Sequence, residues 1–127
     1  MKSYIPIIFV ALGGAVGSLA RYGLSGLVQA NRSGFPLGTL VVNVLGCLAM
    51  GFLARWLEVR ILSPEFRFLI GLGFLGGFTT FSTFSYEALR LLMDHDTINA
   101  IVYIAGSLFG CLAAVTAGYL IARAIWW

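Results

Sequence analysis

Four long apolar blocks, separated by brief polar stretches, organise this 127-residue chain. The first runs from Tyr4 to Val28 and holds one charge, Arg21. The second runs from Pro36 to Ala54, the third from Phe68 to Tyr86 and the fourth from Thr97 to Ala122, all without charge. Each reaches the ~20 residues with which a helix crosses ~30 Å of hydrocarbon. Four such blocks cannot close a barrel, so the pattern predicts four membrane-spanning helices. The connections are short. Residues Gln29 to Phe35 carry Asn31, Arg32 and Gly34; Arg55 to Pro64, which either continues helix 2 or begins helix 3, and Glu87 to Asp96 form the others.

Composition agrees with the blocks. The chain is 60% hydrophobic and 10% charged, with a mean hydropathy of +0.96. Soluble domains carry about 25% charge, so a soluble chain of this kind would lack a polar coat. The length fits one domain, a four-helix transmembrane unit over residues 1–127. The net charge is +3, but the basic residues stand singly near the ends of the blocks. That suits anionic headgroups, and no basic run exists to build a nucleic-acid face. Lys2 ahead of an apolar run and Ser18-Leu19-Ala20 imitate a signal peptide. The apolar pattern continues past that point, so residues 4–28 are read as a retained span.

Four helices place both ends of the chain on one side. That side carries Lys2, Arg55, Arg60, Arg67 and Arg123; the other carries Arg32 and Arg90, with Arg21 nearby. The imbalance favours termini inside only softly, and insertion in both orientations stays open. Small residues recur at four-residue spacing: Gly13 and Gly17 in helix 1, then Gly106, Gly110, Ala114 and Gly118 in helix 4. Such stripes let helices approach closely in lipid. Four short helices cannot bury them all, so a homo-oligomer is expected.

Polar groups inside the blocks need a reason. Asn99, Tyr103, Ser107 and Cys111 are spaced by four and share one face of helix 4. They are either interhelical hydrogen-bonding groups or a polar track. Asn43 lies mid-helix, where an unbonded amide is costly; it is either glue between helices or a donor to an anion. Arg21 either snorkels or adds positive potential at an aqueous opening. Cys47 and Cys111 have no Cys or His at metal-ligand spacing and read as small buried hydrophobes. The Asp94-His95-Asp96 turn reads as a solvated loop, because a metal would need more converging ligands.

The densest polar stretch is Gly76-Gly77-Phe78-Thr79-Thr80-Phe81-Ser82-Thr83-Phe84-Ser85. Gly76-Gly77 followed by Thr79-Thr80 predicts a break in helix 3. A break frees backbone groups that must be satisfied by protein, water or an ion. Beyond it, Phe78, Phe81 and Phe84 recur every three residues beside Thr79, Ser82 and Ser85. Ring edges are positive, so an aromatic face beside hydroxyls could meet a desolvated anion.

These motifs, with Gly13-Gly14 and Arg21 in helix 1 and Gly38-Thr39-Leu40-Val41-Val42-Asn43 in helix 2, resemble the Fluc (CrcB-type) fluoride channel family over essentially the whole chain. The resemblance implies an antiparallel, dual-topology homodimer in the cell (inner) membrane, with two fluoride pathways and a sodium ion on the two-fold axis. It implies a fluoride pathway through Asn43, Phe81 and Phe84, with Ser82, Thr83, Tyr103, Ser107 and Thr39 near the polar track. It places Arg21 at a vestibule and the sodium on the backbone carbonyls of Gly76 and Thr79. Phe78 is left outside the pore, and Cys111 stands where the track would expect a hydroxyl. The implied activity is passive export that lowers cytoplasmic fluoride. The alternative is a four-helix proton-coupled multidrug exporter. That chemistry wants an embedded carboxylate, whereas Glu58, Glu65, Glu87, Asp94 and Asp96 all fall at block ends. A purely structural subunit would not need a broken helix, and no nucleophile–base pair points to an enzyme.

Overall fold

A computed structural model describes residues 4–30, 34–60 and 62–126. Lys2, Asn31 and Arg32, named above, lie outside the described residues. The described chain is all-helical. α1 spans Ile5–Gln29 and α2 spans Leu37–Val59. A third span is composite. It starts with α3, Pro64–Phe66, continues through a π-helical stretch, Arg67–Leu75, and ends in α4, Gly76–Phe78. Thr79 and Thr80 are extended, with ψ of 157° and 121°. α5, Phe81–Met93, and α6, Thr97–Ile125, complete the fold. Four of the resulting helical spans are long and apolar enough to cross a membrane.

Local chemistry sets the helix ends. Ser63 accepts from the Phe66 amide at 3.3 Å, and Pro64 opens α3 where no amide hydrogen is needed. Asp96 caps α6 through the Asn99 amide and also holds the Asn99 side chain at 2.8 Å. Asn99 is therefore spent on a cap, and only Tyr103 and Ser107 of the helix 4 stripe are buried. Gln29 ties α1 to α2 by donating to the Phe35 carbonyl and accepting from the Gly38 amide, both at 3.1 Å.

Two sets of close contacts hold the bundle. α1 lies on the π-helical stretch and α4: a side chain at Gly13 would strike the Leu69 carbonyl, and one at Gly17 the Phe74 carbonyl. α2 and α6 run side by side in the same direction. Thr39 and Tyr103 meet one carboxylate at their starts, and Tyr119 bonds Glu58 near their ends at 2.9 Å. Between these points a side chain at Gly51 would strike the Val115 carbonyl, and one at Gly118 the Leu48 carbonyl. The glycines are thus the places where backbones touch. Gly106, counted in the same stripe, faces open space. Many large apolar side chains, among them Leu19, Leu27, Leu72 and Phe109, point outward, as helices in lipid require.

Helices run further than the apolar blocks. α2 continues five residues past Ala54 and α5 seven past Tyr86. Glu58 and Glu87, just past the ends of their blocks, therefore still sit on helices. Arg55 prolongs α2 by pairing with Glu58 at 3.2 Å and bonding the Trp126 carbonyl at 3.2 Å.

Candidate functional site

The site forms where α2, α5 and α6 meet, around the extended residues Thr79 and Thr80. Helical bonding would direct the Thr80 amide to the Gly76 carbonyl and the Thr83 amide to the Thr79 carbonyl. Neither goes there. The Thr80 amide donates to Asn43 Oδ1 at 2.8 Å, and Asn43 Nδ2 donates to the Thr80 carbonyl at 2.9 Å. The Thr83 amide donates to Thr80 Oγ1 at 3.2 Å, which caps α5. One amide side chain thus pairs with both backbone groups of a residue that has left the helix. Asn43 acts as glue between α2 and the third span, and one Nδ2 hydrogen remains unassigned by these bonds.

Glycines Gly76 and Gly77 are helical; the chain leaves the helix only after them. Gly77 is small for another reason: a side chain there would come within 2.6 Å of the Gly14 carbonyl. Gly46 makes room for the Thr79 methyl in the same way. Because two extended residues intervene, the three phenylalanines do not share a face. Phe78 is buried and stacks on Phe74 at 5.8 Å. Phe81 stands 79% exposed on the protomer surface. Phe84 lies between them in environment, with its ring 5.4 Å from Phe81 and 5.3 Å from Tyr103.

Two cavities flank this region. The first, about 540 Å³, opens between α1, α2 and α5 and is lined by Ser25, Gln29, Thr39, Thr83, Glu87 and Arg90 among others. The second, about 390 Å³, is lined by Asn43, Cys47, Thr80, Phe81, Phe84, Ser107 and Cys111 among others. A polar partition stands between them. Glu87 accepts from Thr39 Oγ1 at 3.0 Å and from the Tyr103 hydroxyl at 2.7 Å. Tyr103 is fully buried, and Phe35 packs its ring edge-on at 5.6 Å. Thr80 Oγ1 donates to Thr83 Oγ1 at 3.0 Å and also meets Ser82 Oγ at 3.3 Å, so hydroxyls run from one cavity wall to the other.

The structure therefore gathers Thr39, Asn43, Phe81, Ser82, Thr83, Phe84, Tyr103 and Ser107 around the two cavities and their partition. It does not bring Arg21 to a cavity wall; Ser25, one turn later on α1, lines the first cavity instead. Two participants went unassigned in the sequence. Thr80 carries the Asn43 pairing, and Glu87 organises the partition. Ser107 Oγ is buried without a hydrogen-bond partner, although it lines the second cavity. An unpartnered hydroxyl in hydrocarbon is costly, so this group is open to a partner from its own helix or from the cavity.

A hard cation can be tested against the chain. The Gly76 and Thr79 carbonyls have lost their helical donors, as shown above, and carbonyl oxygens are ligands for hard cations. The donors fit a sodium ion in kind. Two oxygens do not fill its shell, so further oxygens must come from elsewhere.

Four spanning helices, a polar partition between two cavities and a pairing of Asn43 with an extended backbone define a polytopic helical membrane protein with hydrogen-bonded polar groups between its helices. The chain belongs to the CrcB family: the family model described as CrcB-like protein, Camphor Resistance (CrcB), matches residues 8–119. It is 50% identical over 114 residues to the Fluoride-specific ion channel FluC of Nitratidesulfovibrio vulgaris, covering 88% of this chain and 92% of that one. It is 46% identical over 121 residues to the protein of the same name from Geobacter metallireducens, covering 94% and 98%. The Thermus thermophilus protein of that name is 47% identical over 119 residues, covering 93% and 95%.

Proposed function

We propose that this chain is a fluoride-selective channel that lets fluoride leave the cell passively across the inner membrane and so lowers cytoplasmic fluoride. The relatives named above support the ion. The observation in this chain that carries the reading is the buried, unpartnered Ser107 hydroxyl. It faces a cavity shared with Asn43, Phe81 and Phe84, beyond a partition rich in hydroxyls. Fluoride is small and strongly hydrated, so a route must replace its water with donors along the way. Thr83, Ser107 and the spare Asn43 hydrogen supply donors, Thr39 and Tyr103 can offer theirs only by turning away from Glu87, and the edges of Phe81 and Phe84 supply positive rims.

The expected result is fluoride efflux from proteoliposomes far faster than chloride efflux, with no proton gradient imposed. Equal rates for the two ions would overturn the reading. A requirement for a proton gradient would favour the exporter, to which Glu87 now lends a carboxylate. That carboxylate lies on the partition near the start of α2 and is shared by two hydroxyls, which suits a fixed element better than a proton carrier.

The working unit in this reading is an antiparallel homodimer of chains inserted both ways. The outward Phe81 and the open second cavity support it, since a second copy would complete the wall. So does the modest Lys/Arg imbalance. An impermeant label on a terminal tag should mark about half of the molecules in sealed vesicles; uniform labelling, or none, would rule out dual insertion. The interruption at Thr79–Thr80 is read as a sodium site. Gly76 and Thr79 carbonyls from two copies would hold the ion, which supplies fixed positive potential near the routes. Efflux should slow strongly when a large organic cation replaces sodium from purification onward. Full activity without any small cation would remove the site, and dependence on the direction of a sodium gradient would indicate coupled transport.

A further inference from the structure

Cys111 interrupts the hydroxyl stripe of α6, and the fold gives it a counterpart. Cys47 lies eight residues after Thr39 and four before Gly51; Cys111 lies eight after Tyr103 and four before Val115. Thr39 and Tyr103 meet on one carboxylate, and Gly51 and Val115 touch backbone to backbone. Because α2 and α6 run in the same direction, the two cysteines stand level between these contacts. Their thiols are free and half-buried. Both line the cavity shared with Asn43, Phe84 and Ser107.

We propose that Cys47 and Cys111 form a two-sulfur site for a soft, two-coordinate cation of the Hg²⁺ class, set in the wall of the fluoride route. Thiolates select soft metals. Zinc would need four ligands, and among the described residues no group of three or more His, Cys, Asp or Glu converges. A divalent ion on two thiolates is neutral, which suits apolar surroundings. Binding releases one proton from each thiol. The resulting sulfur–metal–sulfur bridge ties α2 to α6 beside Ser107 and narrows the route. The binding stands on the geometry of the helices; the effect on flux rests on the channel reading above.

The test uses the purified full chain with Hg²⁺ as the probe. Native mass and the ultraviolet absorption of the metal–thiolate bond should report one ion per chain, with both thiols protected from maleimide. Cys47→Ala and Cys111→Ser should each weaken binding by about 100-fold or more, because the second sulfur acts as a tethered ligand. In proteoliposomes, one Hg²⁺ per chain should bring fluoride efflux near background. Excess dithiol should restore it, and the double variant Cys47→Ala with Cys111→Ser should keep its own metal-free rate. Two ions per chain, or single variants that bind as tightly as the parent, would overturn the site. Tight one-to-one binding with undiminished efflux would overturn its place in the route. Chains that bind the ion as expected yet release no fluoride before it is added would count against the channel reading and leave the metal site standing.

Discussion

Asn43→Leu should abolish fluoride efflux and lower the thermal stability of the purified protein. Leucine has the branched shape of asparagine and a larger volume, so the change leaves no cavity. What it removes are the two bonds at 2.8 and 2.9 Å to the Thr80 amide and carbonyl. Thr80 is buried, and its two backbone groups lie inside a membrane span. The amide would be left without a partner where water cannot replace it, at about 1–3 kcal/mol, and the carbonyl, which also opens the bonding of α5, would lose one of its two donors. The chain then has two outcomes open to it. It rebuilds a continuous helix through Thr79–Thr80, which returns the amides of Thr80 and Thr83 to the Gly76 and Thr79 carbonyls, or it loosens there. Either removes the arrangement that sets Thr80 and Phe81 on the cavity wall. Asn43→Asp separates the two bonds: an oxygen still accepts from the Thr80 amide, but the other faces the Thr80 carbonyl with no hydrogen between. It should fall between the parent and the leucine variant in melting temperature. A leucine variant that melts with the parent would show that Asn43 does not hold this backbone.

Much of the architecture was written in local pattern. The four spans are legible because an uncharged run of ~20 residues has few places to go except across hydrocarbon. The glycine stripes are legible because small residues spaced by four share a face, and Gly110 and Gly118 of α6 do lie against α2. Their limits were not legible. Whether helix 2 continues past Arg55 stays open in the sequence; the pairing of Arg55 with Glu58 and the Trp126 carbonyl keep α2 helical through them. The phenylalanine period was misleading for a related reason. Periodicity places residues on one face only if the backbone is continuous, and Thr79–Thr80 turns Phe78 inward to Phe74 and Phe81 outward. The glycine pair looked like the weak point of the helix, but Gly77 is small so that Gly14 can approach. The helix yields at the threonines, where Asn43 and the Thr80 side chain offer substitutes for helical bonds. Asn43 and Thr80 stand 37 residues apart, and Glu87 is 48 from Thr39. No local pattern carries pairings of that span, and a carboxylate just past an apolar block reads as solvated until its partners are seen.

Glu87 supplies the other large effect. Its two oxygens hold the Thr39 and Tyr103 hydroxyls at 3.0 and 2.7 Å, and Tyr103 is wholly buried. Glu87→Leu leaves both hydroxyls without that acceptor. Thr39 can turn its hydroxyl toward a carbonyl one turn earlier, as threonines in helices do. Tyr103 has a rigid ring wedged between Phe35 and Phe84 and no such freedom. An orphaned phenol costs about 1–3 kcal/mol, so the leucine variant should melt lower and conduct fluoride poorly. Glu87→Gln should behave in the opposite way. Its oxygen still accepts from one hydroxyl, and its amide can donate to the other, because hydroxyls accept as well as donate. The partition therefore survives with its charge removed. Like charges about 5 Å apart repel by about 3 kcal/mol at an effective dielectric of about 20, so a carboxylate here opposes an anion that approaches the same donors. Fluoride efflux should rise in the glutamine variant while its melting temperature stays with the parent. Efflux that collapses in Glu87→Gln with the melt unchanged would show that the negative charge itself is needed, and that Glu87 does more than hold Thr39 and Tyr103 in place.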